Sequence, residues 1–141
     1  MQQKNKYLFL ILIIINLNNI LLFQKTRSHF WPICLFIDVG QGDASFIQYK
    51  GKNILVDGGD SKRRTKNRYN LVKLLKKRGV KRIDLMILSH PHSDHLAGLV
   101  EVIKKFPVNL LLCPQQKHTT ALYEEFESLI EIRKIPRFFA Y

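Results

Sequence analysis

Ser89-His90-Pro91-His92-Ser93-Asp94-His95 concentrates the reactive chemistry of this chain. Three of the five histidines fall within six residues, beside a carboxylate. His90 and His92 stand two apart in what reads as an extended loop, so both imidazoles can face one point. Pro91 between them stiffens the backbone and lowers the entropy lost in holding that geometry. Asp94 and His95 follow at the expected start of a helix and can face a second ion close to the first. Neutral imidazole nitrogen with carboxylate oxygen is a ligand set suited to zinc, manganese or iron. An N-cap role for Asp94 is compatible with metal binding.

The elements around this stretch read as a mixed α/β fold. A buried strand is expected over residues 34–38, a glycine-rich turn over 40–43, and a second strand over 44–49. Residues 50–53 read as a hairpin connection into a third strand over 54–57. Gly58 and Gly59 break that strand, and a polar loop runs to about Asn67. Leu71, Val72, Leu74 and Leu75, with lysines between them, predict an amphipathic helix ended by Gly79. A buried strand over 83–88 delivers the histidines at its end, where α/β folds commonly place functional loops. The helix that follows, over 95–106, has Leu96, Leu99, Val100 and Ile103 on one face. Pro107 stops it, a strand returns over 108–113, and a last helix runs from Thr119 or Thr120 to Glu131.

Hydrophobic residues make up 46% of the 141, enough for one packed domain and too many for wholesale disorder. Lys and Arg number 23 against 11 acids, a formal charge of +12 that favours polyanionic partners and says nothing of fold. Cys34 and Cys113 make neither a disulfide framework nor a zinc motif; both lie beside apolar runs and read as small buried hydrophobes. Residues 7–23 are nearly all apolar and are flanked by Lys4, Lys6, Lys25 and Arg27. Residues 1–30 therefore read as an uncleaved signal-anchor, with a cleaved, secreted form as the alternative. Basic residues on both flanks leave the orientation open.

The histidine stretch resembles the H-x-H-x-D-H signature of metallo-β-lactamase-fold hydrolases. Asp57, in Ile54-Leu55-Val56-Asp57-Gly58-Gly59, resembles their earlier strand-end aspartate. Phe36-Ile37-Asp38-Val39-Gly40-Gln41-Gly42-Asp43-Ala44 resembles the opening of the hydrolase domain in the ComEC family of DNA-uptake (competence) proteins. The resemblance spans residues 35–113. It implies that residues 31–141 form the N-terminal half of an αββα sandwich, preceded by the hydrophobic N-terminal helix. His90 and His92 would bind one divalent ion, Asp94 and His95 a second, with zinc favoured over manganese. Asp94 would also orient the attacking water, and Asp57 would hold the histidine loop by hydrogen bonds. The implied activity is phosphodiester or nuclease hydrolysis linked to DNA uptake, on a membrane-anchored, extracytoplasmic domain. A general hydrolase of small esters and a non-catalytic remnant are the alternatives.

After His95 the only histidine is His118, read as a surface residue that comes too early to be a ligand from the second half of the sandwich. The chain is accordingly expected to be truncated, with the missing half a candidate partner if encoded separately. Residues 50–82 carry thirteen basic side chains against two acids. Within them Lys62, Arg63 and Arg64 follow the Asp57 loop and are candidate contacts for a DNA backbone.

Overall fold

The computed structural model describes residues 31–60 and 70–140. The N-terminal hydrophobic run and the candidate contacts Lys62, Arg63 and Arg64 lie outside those residues. Among the described residues, no helix is long and apolar enough to cross a membrane.

Strands β1 (Ile33–Phe36), β2 (Ser45–Tyr49) and β3 (Lys52–Val56) form an antiparallel meander. The chain then alternates: α1 (Leu71–Lys77), β4 (Leu85–Ile87), α2 (Ser93–Lys105), β5 (Leu111–Pro114), α3 (Ala121–Ile132) and β6 (Arg137–Ala140). From β3 onward the pairings are parallel, and the six strands lie side by side in sequence order. Successive crossovers in one direction, each right-handed, place their helices on one face of a sheet. Here α2 packs against both α1 and α3.

Register explains the core. Phe46, Leu55, Met86 and Leu111 are direct partners across β2, β3, β4 and β5, so they share a face, and all four are fully buried. They belong to one apolar cluster with Leu75, Leu96, Leu99, Ile103 and Phe126 from the three helices. Each such side chain contributes roughly 2 kcal/mol relative to its exposed state. The opposite face carries Ile47, Ile54, Leu85, Ile87 and Leu112, which are only part-buried. This six-stranded mixed α/β sheet is consistent with the sandwich expected above.

Several boundaries move. Lys50 and Gly51 both have positive φ (46° and 75°), which makes the hairpin turn two residues long and puts Lys52 and Asn53 in β3. Helix α2 starts at Ser93, so Asp94 and His95 occupy its first turn. Strand β4 is shorter than expected, with Ile83 joined to Val108 only by an isolated bridge. Strand β6 has no counterpart in the sequence reading, because four residues after Pro136 show no alternation of their own; its parallel pairing with β5 creates it. Cys113 is buried as expected, but Cys34 is exposed. Cys34 lies on edge strand β1, where Cys34 and Phe36 face outward and alternate with part-buried Ile33 and Leu35.

Candidate functional site

Three loops meet at the same end of the sheet. Gly40 and Gly42 turn the β1–β2 loop with φ of 87° and 80°. A side chain on Gly42 would overlap the backbone carbonyl of Asp94, so this loop rests directly on the start of α2. The loop after β3 is tied to the histidine segment by backbone hydrogen bonds: Asp57 N–H to Ile87 O (2.9 Å), Gly58 N–H to His95 O (2.8 Å) and Gly98 N–H to Gly59 O (3.0 Å). Gly58 and Gly98 face each other so closely that a Cβ on either would strike the other's backbone. Asp60 N–H donates to Gln41 O at 3.1 Å and closes the triangle.

Asp57 sits at the centre of this junction, buried, with a left-handed φ of 55°. Its Oδ1 accepts from Ser89 N–H at 2.8 Å. Its Oδ2 accepts from Ser89 Oγ at 2.6 Å and lies 2.9 Å from His95 Nδ1. The Ser89 hydroxyl is also 2.9 Å from His90 Nδ1. Because the single Ser89 hydroxyl proton goes to Asp57, His90 Nδ1 must be the donor to Ser89 Oγ. The Asp57 carboxylate likewise makes His95 Nδ1 a donor. Both neutral rings are then set with the proton on Nδ1 and the lone pair on Nε2, the form a metal ligand needs.

The imidazoles are neighbours. His90 and His92 have ring centroids 4.8 Å apart at 77°, and His90 and His95 lie 3.9 Å apart at 49°. Two imidazoles sharing an ion at ordinary nitrogen–metal lengths have centroids roughly 5 Å apart. The first pair meets that spacing and the second does not. Among the described residues, no group of three or more His, Cys, Asp or Glu side chains closes around a common point. The donor chemistry nevertheless fits divalent cations: two oriented lone-pair nitrogens, a third imidazole on His92, and the Asp94 carboxylate in the first turn of α2.

Two residues were not assigned to the site from sequence. Ser89 joins Asp57 to His90; its signal is a hydroxyl directly before the first histidine of the motif. His118 was expected at the surface, but it is part-buried and its ring stands 5.9 Å from that of His92. The β5–α3 loop carries it there. Tyr123 Oη donates to Gln116 O at 2.9 Å, and the Thr120 side chain caps α3 by accepting from Tyr123 N–H. Burial, with the Glu127 charge next, pushes the Tyr123 phenol up to about 12, so it remains a donor at neutral pH. Between this loop and the β4–α2 loop lies a cleft of about 450 Å³, lined in part by His92, Asp94 and His118.

Residues 37–135 match the family described as the metallo-beta-lactamase superfamily. The chain is 33% identical over 108 residues to Recombination protein 2 of Haemophilus influenzae, covering 76% of this chain and 14% of that protein. It is 40% identical over 58 residues to Ribonuclease Z of Clostridioides difficile, covering 41% of this chain and 17% of that protein. The chain thus spans a small part of the curated relatives it matches. A solved diphosphatase of the PhnP family aligns with a TM-score of 0.47 and 18% identity, over 72% of this chain and 37% of that one.

Proposed function

The chain belongs to the metallo-β-lactamase superfamily, and from that membership we propose a metal-dependent phosphodiesterase acting on nucleic acid, of the ComEC type linked to DNA uptake. The observation that carries the reading is the Asp57–Ser89 hydrogen-bond pair, which presents Nε2 of both His90 and His95 as lone-pair donors. His90 and His92 would hold one divalent ion, zinc or manganese, and Asp94 with His95 a second; the short His90–His95 separation supports assigning those two to different ions. Bound ions of this kind supply an activated water and positive charge against the charge developing on a phosphoryl group.

The chain's own residues orient and position. Asp57 fixes His95 directly and His90 through Ser89. Gly42, lacking a side chain, lets the β1–β2 loop seat on the Asp94 backbone, which steadies the carboxylate proposed to orient the water. Lys62, Arg63 and Arg64 are the proposed phosphate contacts, supported by the +12 charge and their place in sequence just after the Asp57 loop. Residues 7–23 are the proposed membrane attachment, with the domain on the extracytoplasmic side. Phosphodiester chemistry is preferred over small esters because of the charge and because of the likeness to Recombination protein 2 and Ribonuclease Z.

A second reading is a chain that binds metal weakly and turns over nothing by itself. One experiment separates the two. The full chain, supplied with zinc or manganese, is assayed on bis(p-nitrophenyl) phosphate and single-stranded DNA. The phosphodiesterase reading expects turnover that His90→Ala and Asp94→Ala each lower by at least about a hundredfold, while Lys117→Ala leaves it unchanged. Turnover that survives both substitutions, or none in the wild type, rejects it.

A further inference from the structure

We infer that the cleft between the β4–α2 and β5–α3 loops is a nucleoside subsite, in which the His118 imidazole donates a hydrogen bond to a nucleobase. The inference rests on the nucleic-acid reading above and names what that site takes beside the scissile phosphate. A cleft of about 450 Å³ is within the range that encloses a small organic ligand. His92 and Asp94 form part of its wall, so an occupant would adjoin the proposed metal ligands.

The lining selects the chemistry. Pro91, Ala121 and Leu122 give an apolar surface against which a flat ring can lie. No Lys or Arg is among the described lining residues, and the one charged side chain is the acid Asp94. In a chain of net charge +12, this is a local exception that disfavours a free anion and suits a neutral planar group.

His118 supplies the directional contact. Its Nδ1 is buried and has no hydrogen-bond partner among the described residues. A buried N–H without an acceptor costs more than a buried lone pair, which places the proton of the neutral ring on Nε2. Nε2–H is therefore the ring donor available to a ligand, and every base offers ring-nitrogen or carbonyl acceptors on its edges. Thr120 also lines the cleft; its Oγ1 accepts from Tyr123 N–H at 3.3 Å and keeps its own hydrogen to donate. The His92–His118 centroid separation of 5.9 Å exceeds the roughly 5 Å of two rings on one ion, which argues against His118 as a further metal ligand.

The test uses the full chain in detergent solution, treated with chelator so that no ion contributes, and thymidine as the probe. Binding is followed by titration and by NMR of the histidine ring resonances. Thymidine is expected to shift the His118 resonances saturably, and thymidine 5′-monophosphate to bind within about threefold of the nucleoside. His118→Ala should weaken thymidine binding by about tenfold or more, and His118→Gln, whose amide nitrogen takes the place of Nε2, should restore most of it. Equal affinity in wild type and His118→Ala overturns the subsite even if the metal-loaded chain cleaves phosphodiesters. A monophosphate that binds far more tightly than thymidine overturns it in favour of an anion site. Thymidine binding that depends on His118, in a chain with no phosphodiester turnover, sustains the subsite while the catalytic reading falls.

Discussion

Oδ2 of Asp57 lies 2.9 Å from Nδ1 of His95, joining the end of β3 to the first turn of α2 across 38 positions of sequence. The side chains are only 6% and 12% exposed, so water competes little for the contact. The left-handed backbone that aims the Asp57 carboxylate costs a non-glycine residue about 1–2 kcal/mol. Two flanking backbone bonds, Asp57 N–H to Ile87 O and Gly58 N–H to His95 O, hold it there.

Replacing Asp57 by Ala strands the Ser89 N–H, the Ser89 hydroxyl and His95 Nδ1 together. The expected loss is about 2–4 kcal/mol of stability, measured by urea unfolding of the metal-free chain. In whatever fraction stays folded, zinc affinity should fall about 10–100-fold. A variant as stable as wild type with unchanged zinc binding would show that Asp57 is incidental.

Ser89→Ala removes the Oγ bonds to Asp57 and His90 and leaves the Ser89 N–H bond and the Asp57–His95 contact in place. Zinc affinity should drop by about tenfold, less than for Asp57→Ala. Ser89→Thr, which keeps the hydroxyl, should retain most of it. Calorimetric titration of the three variants checks the order, and the reverse order would rule out the relay.

Gly98→Ala and Gly51→Ala separate close approach from backbone conformation. A Cβ at Gly98 would overlap the Gly58 carbonyl, so α2 would be pushed off the loop after β3, at about 3 kcal/mol or more. Gly51 has a φ of 75° but open space around it, and Ala there should cost only about 1 kcal/mol. Comparable unfolding midpoints for the two would refute the tight junction.

Asp84 provides a pH prediction. Burial, the largest single influence, would by itself push its carboxyl up. The Asn53 N–H bond at 3.0 Å and the Arg82 and Lys52 cations outweigh it and leave the group below its ordinary value. A depressed folded-state pKa stabilises above the unfolded value, about 3.9, and that contribution is lost as pH falls through the lower folded value. Asp84→Asn should therefore unfold a few degrees below wild type at pH 7. The gap should close as the solution is acidified below about pH 4. A gap that persists to the lowest pH at which both fold would exclude the carboxylate as its source.

Local features of the chain carried most of the elements and marked the candidate metal-ligand stretch. The 96, 99, 100, 103 spacing marks a face that must be buried wherever it ends up, and glycines mark turns that a side chain would strain. The H-x-H-x-D-H spacing lies within one loop and one helical turn, so it could be read without knowing its neighbours. The resemblance of Asp57 to a strand-end aspartate already implied that it would hold the histidine loop. Tertiary structure decided that the atoms it meets are those of Ser89 and His95, that Gly58 abuts Gly98, and that the β5–α3 loop brings His118 beside His92. It also made β6 a strand and left Cys34 exposed on an edge. Periodicity reports which side of an element is apolar, but it carries no information about which element lies opposite. Sheet order and crossover handedness set those encounters, and they emerge only when the whole chain buries its faces together.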